Sequence, residues 1–227
     1  MKIIGLIGGM SWESSALYYQ KINQKIQKKL GGLHSAKLVL FSVDFSEIEY
    51  FQSTEQWDKA GELLAEIAIK LETINVDAIA LCTNTMHVCA DEIQQVIQIP
   101  FLHIAEALSD QLILDGKHKI LLLGTKFTMQ QSFYKSKLSV NGIEVVTPNF
   151  EHQEIIHSVI YDELCQGVIN ESSKQKYMDI IMHYGNQVDA IVLGCTEIGM
   201  LISQDDLALP IYDTTEIHVN NIVNVML

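Results

Sequence analysis

The stretch Val188-Asp189-Ala190-Ile191-Val192-Leu193-Gly194-Cys195-Thr196 decides the fold, because nearly the same residues occur earlier in the chain. The earlier copy reads Val76-Asp77-Ala78-Ile79-Ala80-Leu81-Cys82-Thr83-Asn84. Each copy is a short apolar run that leads into a cysteine followed by a threonine. Short apolar runs bounded by polar residues are typical of buried parallel strands. The sequence therefore predicts two equivalent strands, each with a cysteine at its carboxyl end.

The sequence around the two copies also recurs in order. Residues 2–8 match residues 119–124, an apolar run that ends in a glycine turn, and residues 100–106 echo residues 210–216. Apolar runs of this kind alternate with helical patterns, which is typical of parallel sheets with right-handed crossovers. We therefore predict an α/β fold with two pseudo-symmetric Rossmann-like lobes, each with a mainly parallel sheet flanked by helices. Open sheets of this class bind ligands at the carboxyl ends of their strands, so the active site is expected in the cleft between the lobes.

The expected lobes follow from where the repeated order starts again. We assign residues 1–98 and 209–227 to a discontinuous N-terminal lobe and residues 99–208 to a C-terminal lobe, with the last strand and helix returning to the first lobe. Helices are expected over 86–97 and 127–140, and a polar stretch covers 44–55. No low-complexity linker separates the lobes.

Charge and cysteine content narrow the function. The net charge of -13 over 227 residues disfavours binding to nucleic acid or to an anionic membrane, although it allows an anionic substrate. No apolar run approaches the roughly 20 residues of a membrane-spanning helix, and the N-terminus is interpreted as a strand rather than a signal peptide. Four scattered cysteines without zinc-type spacing indicate a cytoplasmic protein with no metal and no disulfide scaffold.

The two cysteines suit proton transfer. Each is expected just before a helix N-terminus, where N–H groups and the helix dipole lower the pKa of a thiol. Two thiol bases on opposite faces of one carbon are what racemisation requires, and neither a metal nor a lysine-bound cofactor is needed. Nearby donors can hold a carboxylate and stabilise negative charge that grows beside it. These donors are Ser11, Thr83, Asn84, Thr85, Thr125 and Thr196.

Several other residues have a more ordinary interpretation. A single cysteine after a buried strand is usually a small apolar core residue, and Cys89 and Cys165 are expected to pack on apolar helical faces. The glycines near the N-terminus do not form GxGxxG, so a dinucleotide is not expected. Glu197 could orient Cys195, bind a substrate ammonium group or simply begin a helix.

Five motifs resemble one known family along essentially the whole chain. The sequence is similar to the aspartate/glutamate racemases that work without pyridoxal phosphate, and within them to the broad-specificity bacterial branch. The motifs are Gly8-Gly9-Met10-Ser11-Trp12-Glu13-Ser14, Ser42-Val43-Asp44-Phe45, Cys82-Thr83-Asn84-Thr85-Met86-His87, Gly124-Thr125 with Thr128-Met129, and Gly194-Cys195-Thr196-Glu197-Ile198.

The resemblance implies a homodimer that interconverts L- and D-amino acids without a cofactor. The substrate would be aspartate, glutamate or a broader set that includes homoserine. Cys195 would take the proton from the L-amino acid and Cys82 from the D-amino acid. The positions that match substrate-holding residues of the family are Met10, Ser11, Asn84, Thr85, Thr125 and Thr196.

Three departures from the family bear on the substrate. Glutamate racemases of the cell-wall pathway carry His where Glu197 stands, and they open with an Asp-Ser-Gly motif that is absent here. Aspartate-selective relatives carry an arginine after the second strand, whereas residues 43–52 contain none. Gln52 could supply a neutral contact instead. We therefore add Gln52, Thr83 and Glu197 to the expected substrate-contacting residues.

Three alternatives stay open on the residues alone. The first is a dicarboxylate isomerase or decarboxylase of the same fold that uses one nucleophilic cysteine. The second is a catalytically silent protein that binds a small carboxylate. The third is a thiol-redox pair, which requires the Cα atoms of two cysteines to lie within about 7 Å.

Overall fold

The computed structural model describes residues 1–227 and divides by its contacts into two compact units. The first unit comprises Met1–Ile104 together with His218–Leu227, and the second comprises Ala105–Ile217. No helix combines the length and the apolar character needed to cross a membrane.

The first unit is built on a four-stranded parallel sheet with the order β2-β1-β3-β4. Its strands are β1 (Ile4–Gly8), β2 (Leu38–Ser42), β3 (Ala78–Leu81) and β4 (Phe101–Leu102). Its helices are α1 (Trp12–Leu30), α2 (Phe45–Ser53), α3 (Trp57–Thr73) and α4 (Ala90–Gln94), with a 3₁₀ turn over Thr85–Cys89.

The second unit repeats this architecture. Its parallel strands are β5 (Lys119–Gly124), β6 (Glu144–Val146), β7 (Ala190–Gly194) and β8 (Ile211–Asp213), in the order β6-β5-β7-β8. Its helices are α5 (Ile104–Leu114), α6 (Lys126–Gln130), α7 (Ser132–Ser139), α8 (Phe150–Asp162) and α9 (Glu171–Gly185). The last helix is α10 (Thr214–Met226). The predicted fold class, two parallel sheets flanked by helices, is confirmed.

Apolar stripes on the helices explain how each sheet is covered. In the first unit, Tyr18, Ile22 and Ile26 on α1 pack against Ala78 and Ala80 of β3, together with the end of α10. The alternate residues of the same strand lie on the other face, against the stripe of α3. In the second unit, one face of β7 packs against α8 and α9, and the alternate residues of the strand are buried as well. Burial on both faces accounts for the continuous apolar runs in the sequence.

The units divide at different residues from those expected. Phe101 of β4 pairs with Ile79 of β3, although residues 99–208 were assigned to the second lobe. Likewise Ile211 of β8 pairs with Ile191 of β7, although 209–227 was assigned to the first. Each short strand belongs to the same sheet as the strand before it, because the hydrogen bonds between the two begin at the proline. The N–H groups of Ile79 and Ile191 donate to the carbonyls of Pro100 and Pro210, each at 2.9 Å. Only His218–Leu227 returns to the first unit.

Three local features differ from the expected elements. The helix expected over 86–97 is a 3₁₀ turn followed by the five residues of α4. The helix expected over 127–140 is two helices, because Gln131 adopts an extended backbone with ψ 150°. The polar stretch 44–55 contains α2, whose N-cap Asp44 accepts a hydrogen bond from the backbone N–H of Ser46 at 3.0 Å.

Cys165 also differs from expectation. It lies in a one-turn 3₁₀ helix, Leu164–Gln166, and it is exposed rather than packed on an apolar face. Helix α8 ends at Asp162, and the next residue, Glu163, is no longer helical (φ -123°, ψ -67°), so the chain leaves the apolar face of α8 before it reaches Cys165.

Candidate active site

Cys82 is held at the end of β3 by its backbone. Its N–H donates to the carbonyl of Ile7 in β1 at 2.9 Å, and its carbonyl accepts a hydrogen bond from Ser14 Oγ of α1 at 2.7 Å. The thiol is fully buried and belongs to the core cluster that contains Tyr18. The first strand and the first turn of α1 therefore fix the position of Cys82.

A glycine turn after β1 places the Met10-Ser11 segment. Gly9 has φ 94°, and a Cβ added there would lie 2.3 Å from the carbonyl oxygen of Val43, so only glycine fits. Ser11 then caps α1 by accepting a hydrogen bond from the N–H of Ser14 at 3.3 Å. Ser11 stays partly exposed, whereas Met10 is buried in the cluster on the α3 face. Of these two expected substrate contacts, Met10 is also a packing residue.

The residues after Cys82 are buried around a short turn. Thr83, Asn84 and Thr85 are each at most 8% exposed. Gln52 is buried too, and its Nε2 donates to Met86 Sδ at 2.9 Å. The structure thus brings Gln52 to the segment that contains these three polar residues.

A buried histidine network supports this turn, and the sequence did not predict it. The ring of His87 lies 4.7 Å from that of His103 and 5.8 Å from that of His218, measured between centroids. His87 Nδ1 donates to the carbonyl of Thr83 at 2.9 Å, and its Nε2 accepts from the N–H of Ile104 at 3.2 Å. The three histidines are far apart in sequence and lie on different elements, so only the fold reveals the network.

His218 has equally defined partners. Its Nε2 donates to the carbonyl of Leu102 at 2.7 Å, so its Nδ1 accepts from the hydroxyl of Tyr18 at 2.9 Å. Burial lowers the pKa of His218 to about 4, and burial together with its histidine neighbours lowers the pKa of His87 well below its usual value. Both rings are therefore neutral and rigidly held at physiological pH.

Cys195 has a different environment in the second unit. It directly follows Gly194, the last residue of β7, where an added Cβ would lie 3.0 Å from the carbonyl oxygen of Leu123. Cys195 is buried, and its Sγ–H donates to Glu197 Oε2 at 2.9 Å. The hydroxyl of Thr196 donates to the same carboxylate oxygen. The structure thus brings together the three consecutive residues that the sequence singled out here.

Thr125 occupies the turn after β5. It is the N-cap of α6, and its Oγ1 accepts a hydrogen bond from the N–H of Thr128 at 3.2 Å. The side chain is buried. This residue has the same place in the second sheet as the glycine turn and Ser11 have in the first, as the matched sequences predict.

Both thiols are weaker acids than expected. Burial raises the pKa of Cys82 far above its usual value, and it does the same at Cys195, where the charge of Glu197 and its hydrogen bond add to the effect. The expectation of lowered pKa values is wrong because each cysteine precedes only a short 3₁₀ turn, Thr85–Cys89 or Ile198–Met200. Such turns carry too few aligned peptide dipoles to offset desolvation.

Strand register shows that the cysteines are not at equivalent positions. Ile7 pairs with Leu81 in the first sheet, and Leu123 pairs with Leu193 in the second. Cys82 therefore corresponds to Gly194, and Cys195 lies one residue farther along. Because side chains alternate along a strand, Cys82 joins the cluster on the α1 face of its sheet, whereas Cys195 joins the cluster formed with α8 and α9.

No three His, Cys, Asp or Glu side chains are grouped so that they could hold a metal ion. The polar groups near the two cysteines are hydroxyls, amides and backbone N–H groups, with the carboxylate of Glu197 in the second unit. Donors of this kind suit a carboxylate ligand.

Known proteins resemble the chain over its whole length. It is 46% identical to a candidate Asp/Glu racemase from Yersinia pestis, whose crystal structure matches with a TM-score of 0.95 over 100% of this chain and 99% of that one. An aspartate racemase homologue from Pyrococcus horikoshii OT3 is 33% identical, with a TM-score of 0.86 and the same coverage. The broad specificity amino-acid racemase of Bacillus subtilis (strain 168) is 25% identical over 214 residues, which are 94% of this chain and 93% of that protein. Residues 7–222 match the family described as Asp/Glu/Hydantoin racemase, so the chain belongs to that family.

Proposed function

We propose that the chain is a cofactor-independent amino-acid racemase in which Cys82 and Cys195 are two bases acting on one α-carbon. The observation that supports this most is the duplication. The third strand of each unit, β3 and β7, leads into a buried cysteine followed by a threonine, at the carboxyl edge of sheets with the same strand order. That edge is where ligands bind in open α/β sheets.

In the proposed reaction one thiolate removes the α-proton and the other thiol delivers a proton to the opposite face. Cys195 removes the proton from the L-amino acid and Cys82 removes it from the D-amino acid. After each turnover the thiol and the thiolate have exchanged places, and proton exchange with water restores them. The raised pKa of each thiol makes the thiolate scarce, but it also makes it a stronger base toward a weakly acidic carbon.

The polar side chains around the thiols are proposed to bind the substrate. Hydrogen bonds to the substrate carboxylate become stronger when negative charge spreads onto it as the α-proton leaves, so they lower the barrier. We assign this role to Ser11, Asn84 and Thr85 in the first unit and to Thr125 and Thr196 in the second. Thr83 and Met10 are the other residues of the first unit that we propose to contact the substrate.

The proposed substrates are amino acids with acidic or neutral polar side chains, such as aspartate, glutamate and homoserine. Residues 43–52 contain no arginine that could select an acidic side chain. Gln52, which could contact the side chain, offers a neutral amide, and its Nε2 donates a hydrogen bond to Met86 Sδ. A neutral contact favours a broad substrate range, as the name of the Bacillus relative states for that protein.

The test is a panel of single enantiomers of aspartate, glutamate and homoserine, with the products separated on a chiral column. We expect the opposite enantiomer to form from at least one of them. If none is inverted, while maleate or a malonate is converted, the chain is a one-cysteine isomerase or decarboxylase instead. Thermal stabilisation by an amino acid without any conversion would indicate a binding protein.

Two further expectations come from the resemblance. We propose that the protein is a homodimer and that it works in the cytoplasm. Light scattering tests the first, with an expected mass of about twice that of the chain; the mass of one chain would contradict it.

A further inference from the structure

The carboxylate of Glu197 is folded back onto the two residues before it. Its Oε2 accepts hydrogen bonds from the thiol of Cys195 and from the hydroxyl of Thr196. The 3₁₀ turn that follows holds the backbone of Glu197, because the N–H of Met200 donates to the carbonyl of Glu197 at 3.0 Å. One oxygen with two donors is a specific arrangement rather than a side chain directed into solvent.

Other titratable groups near Cys195 do not carry the same charge. Tyr134 of α7 and Tyr177 of α9 interact with Cys195, and burial raises the pKa of both phenols, so they are neutral. Cys165 interacts more weakly than Glu197 does. After burial, the carboxylate that touches the thiol is therefore the strongest influence on the pKa of Cys195.

The first unit has no counterpart of this carboxylate. Asn84 follows Cys82-Thr83, where Glu197 follows Cys195-Thr196, and an amide carries no charge. Burial alone raises the pKa of Cys82, whereas a carboxylate adds to the effect at Cys195. The two thiols therefore differ in how strongly each one resists losing its proton.

We propose that Glu197 is a positioning residue that keeps the thiol of Cys195 protonated and holds its orientation. In the resting enzyme Cys195 is then the proton donor and Cys82 is the base. This inference rests on the proposed function, because donor and base are defined by the racemisation. The resting enzyme is then poised to accept the D-amino acid first. The form that accepts the L-amino acid requires a thiolate beside the carboxylate, and like charges in contact oppose it.

The preference for the form with Cys195 protonated has a kinetic consequence that differs from a general loss of activity. The equilibrium constant between enantiomers with achiral side chains is unity, so the two kcat/KM values must stay equal in every variant. A shift between the two free forms instead changes the two KM values in opposite directions. Removing the charge of Glu197 should lower the KM for the L-amino acid relative to that for the D-amino acid.

The direct experiment measures the reactivity of each thiol without substrate. Glu197→Gln keeps the shape of the side chain and removes its charge. Alkylation by iodoacetamide at about pH 8, followed by peptide mass spectrometry, should proceed about tenfold faster at Cys195, because a like charge in contact shifts a pKa by about one unit or more. The rate at Cys82 should not change. Glu197→Asp retains the charge, so its rate at Cys195 should stay below that of the Gln variant, and Thr196→Val should not raise it.

The outcomes separate this inference from the proposed function. If the enzyme racemises amino acids but Cys195 reacts no faster in Glu197→Gln, the inference is wrong and the function stands. If Cys195 reacts faster but no amino acid is racemised, the function fails, and the assignment of Cys195 as donor fails with it. A faster Cys195 together with the predicted change in the KM ratio supports both. If Glu197→Gln does not fold, Glu197→Asp decides, since its longer distance to the thiol should still raise the Cys195 rate above wild type.

Discussion

The two units have the same strand order, yet their cysteines lie in different surroundings. Cys82 directly follows β3, its carbonyl is bound by Ser14, and its thiol has apolar neighbours. Cys195 directly follows β7, which continues one residue farther than β3 and ends at Gly194, and its thiol contacts the carboxylate of Glu197. One inserted residue moves a side chain to the other face of a sheet. A duplicated scaffold can therefore supply two unequal bases, because the residues just beyond each strand set the chemistry.

The largest expected effect comes from removing each cysteine in turn. Cys82→Ala and Cys195→Ala should each lower racemisation by about a thousandfold or more, since each loses a group that transfers a proton. The comparison becomes sharper if α-proton exchange with heavy water is measured separately. The Cys82→Ala variant should exchange only the L-enantiomer and the Cys195→Ala variant only the D-enantiomer. Exchange of the same enantiomer by both variants would contradict the assigned roles.

The glycine turn after β1 should tolerate substitution far less than a glycine turn at the surface. Gly9→Ala forces a left-handed backbone on alanine and places its Cβ 2.3 Å from a backbone oxygen, so we expect a loss of more than about 3 kcal/mol in stability. Gly31→Ala is the matched control. Gly31 has φ 75° with no atom within 4 Å of an added Cβ, so only about 1 kcal/mol should be lost. Thermal unfolding measures both, and equal losses would contradict the account of the turn.

The histidine network makes the first unit sensitive to acid. The pKa of His218 is lowered to about 4 in the folded protein, whereas an unfolded histidine titrates near 6.5. Between these values the unfolded chain binds more protons, so stability falls as the pH is lowered through this range, by up to about 3 kcal/mol. His218→Gln keeps a donor for the Leu102 carbonyl without titrating, so it should flatten this dependence.

The matched control for this pH effect is His34→Gln, because His34 is exposed and belongs to the same unit. Its stability between about pH 4 and 6.5 should follow that of the wild-type protein. Unfolding by urea at a series of pH values tests both variants. An unchanged pH dependence in His218→Gln would show that the network does not cause the acid sensitivity.

The smallest expected effect concerns the hydrogen bond that fixes Cys82. Ser14→Ala leaves the buried carbonyl of Cys82 without its donor, which should cost about 1 to 2 kcal/mol. A comparable bond in the second unit joins Thr214 Oγ1, at the start of α10, to the carbonyl of Leu193 at 2.8 Å. Thr214→Val should cost a similar amount of stability but should change kcat less, because it does not hold the cysteine itself. Equal losses of kcat would contradict this difference.

The sequence predicted the features that depend on local pattern and repetition. The apolar runs of β3 and β7 and the glycine turn before α1 were evident from residue types alone. The boundaries between units were misplaced because Pro100 and Pro210 look like the start of new elements, whereas their carbonyls accept from the strands before them. The break at Gln131 depends on one backbone angle, for which the residue gives no signal.

Other features of the candidate site could not be predicted, because they depend on contacts between distant elements. His87, His103 and His218 meet only after β4 and α10 have packed into the first unit. The extra glycine before Cys195 was visible, but the opposite faces of the two thiols follow from the strand register. Burial outweighs the expected effect of the helix dipole on the thiols, and the extent of burial is a property of the folded chain.

The most direct test of a two-base reaction is a racemisation in heavy water, stopped at low conversion. Mass spectrometry of the separated enantiomers shows which one contains deuterium. With two bases the product should carry deuterium, because the second thiol has exchanged with solvent, whereas the recovered substrate should keep its original hydrogen. This pattern is expected from either enantiomer. Deuterium in the recovered substrate at the same level as in the product would indicate one base and would contradict the account.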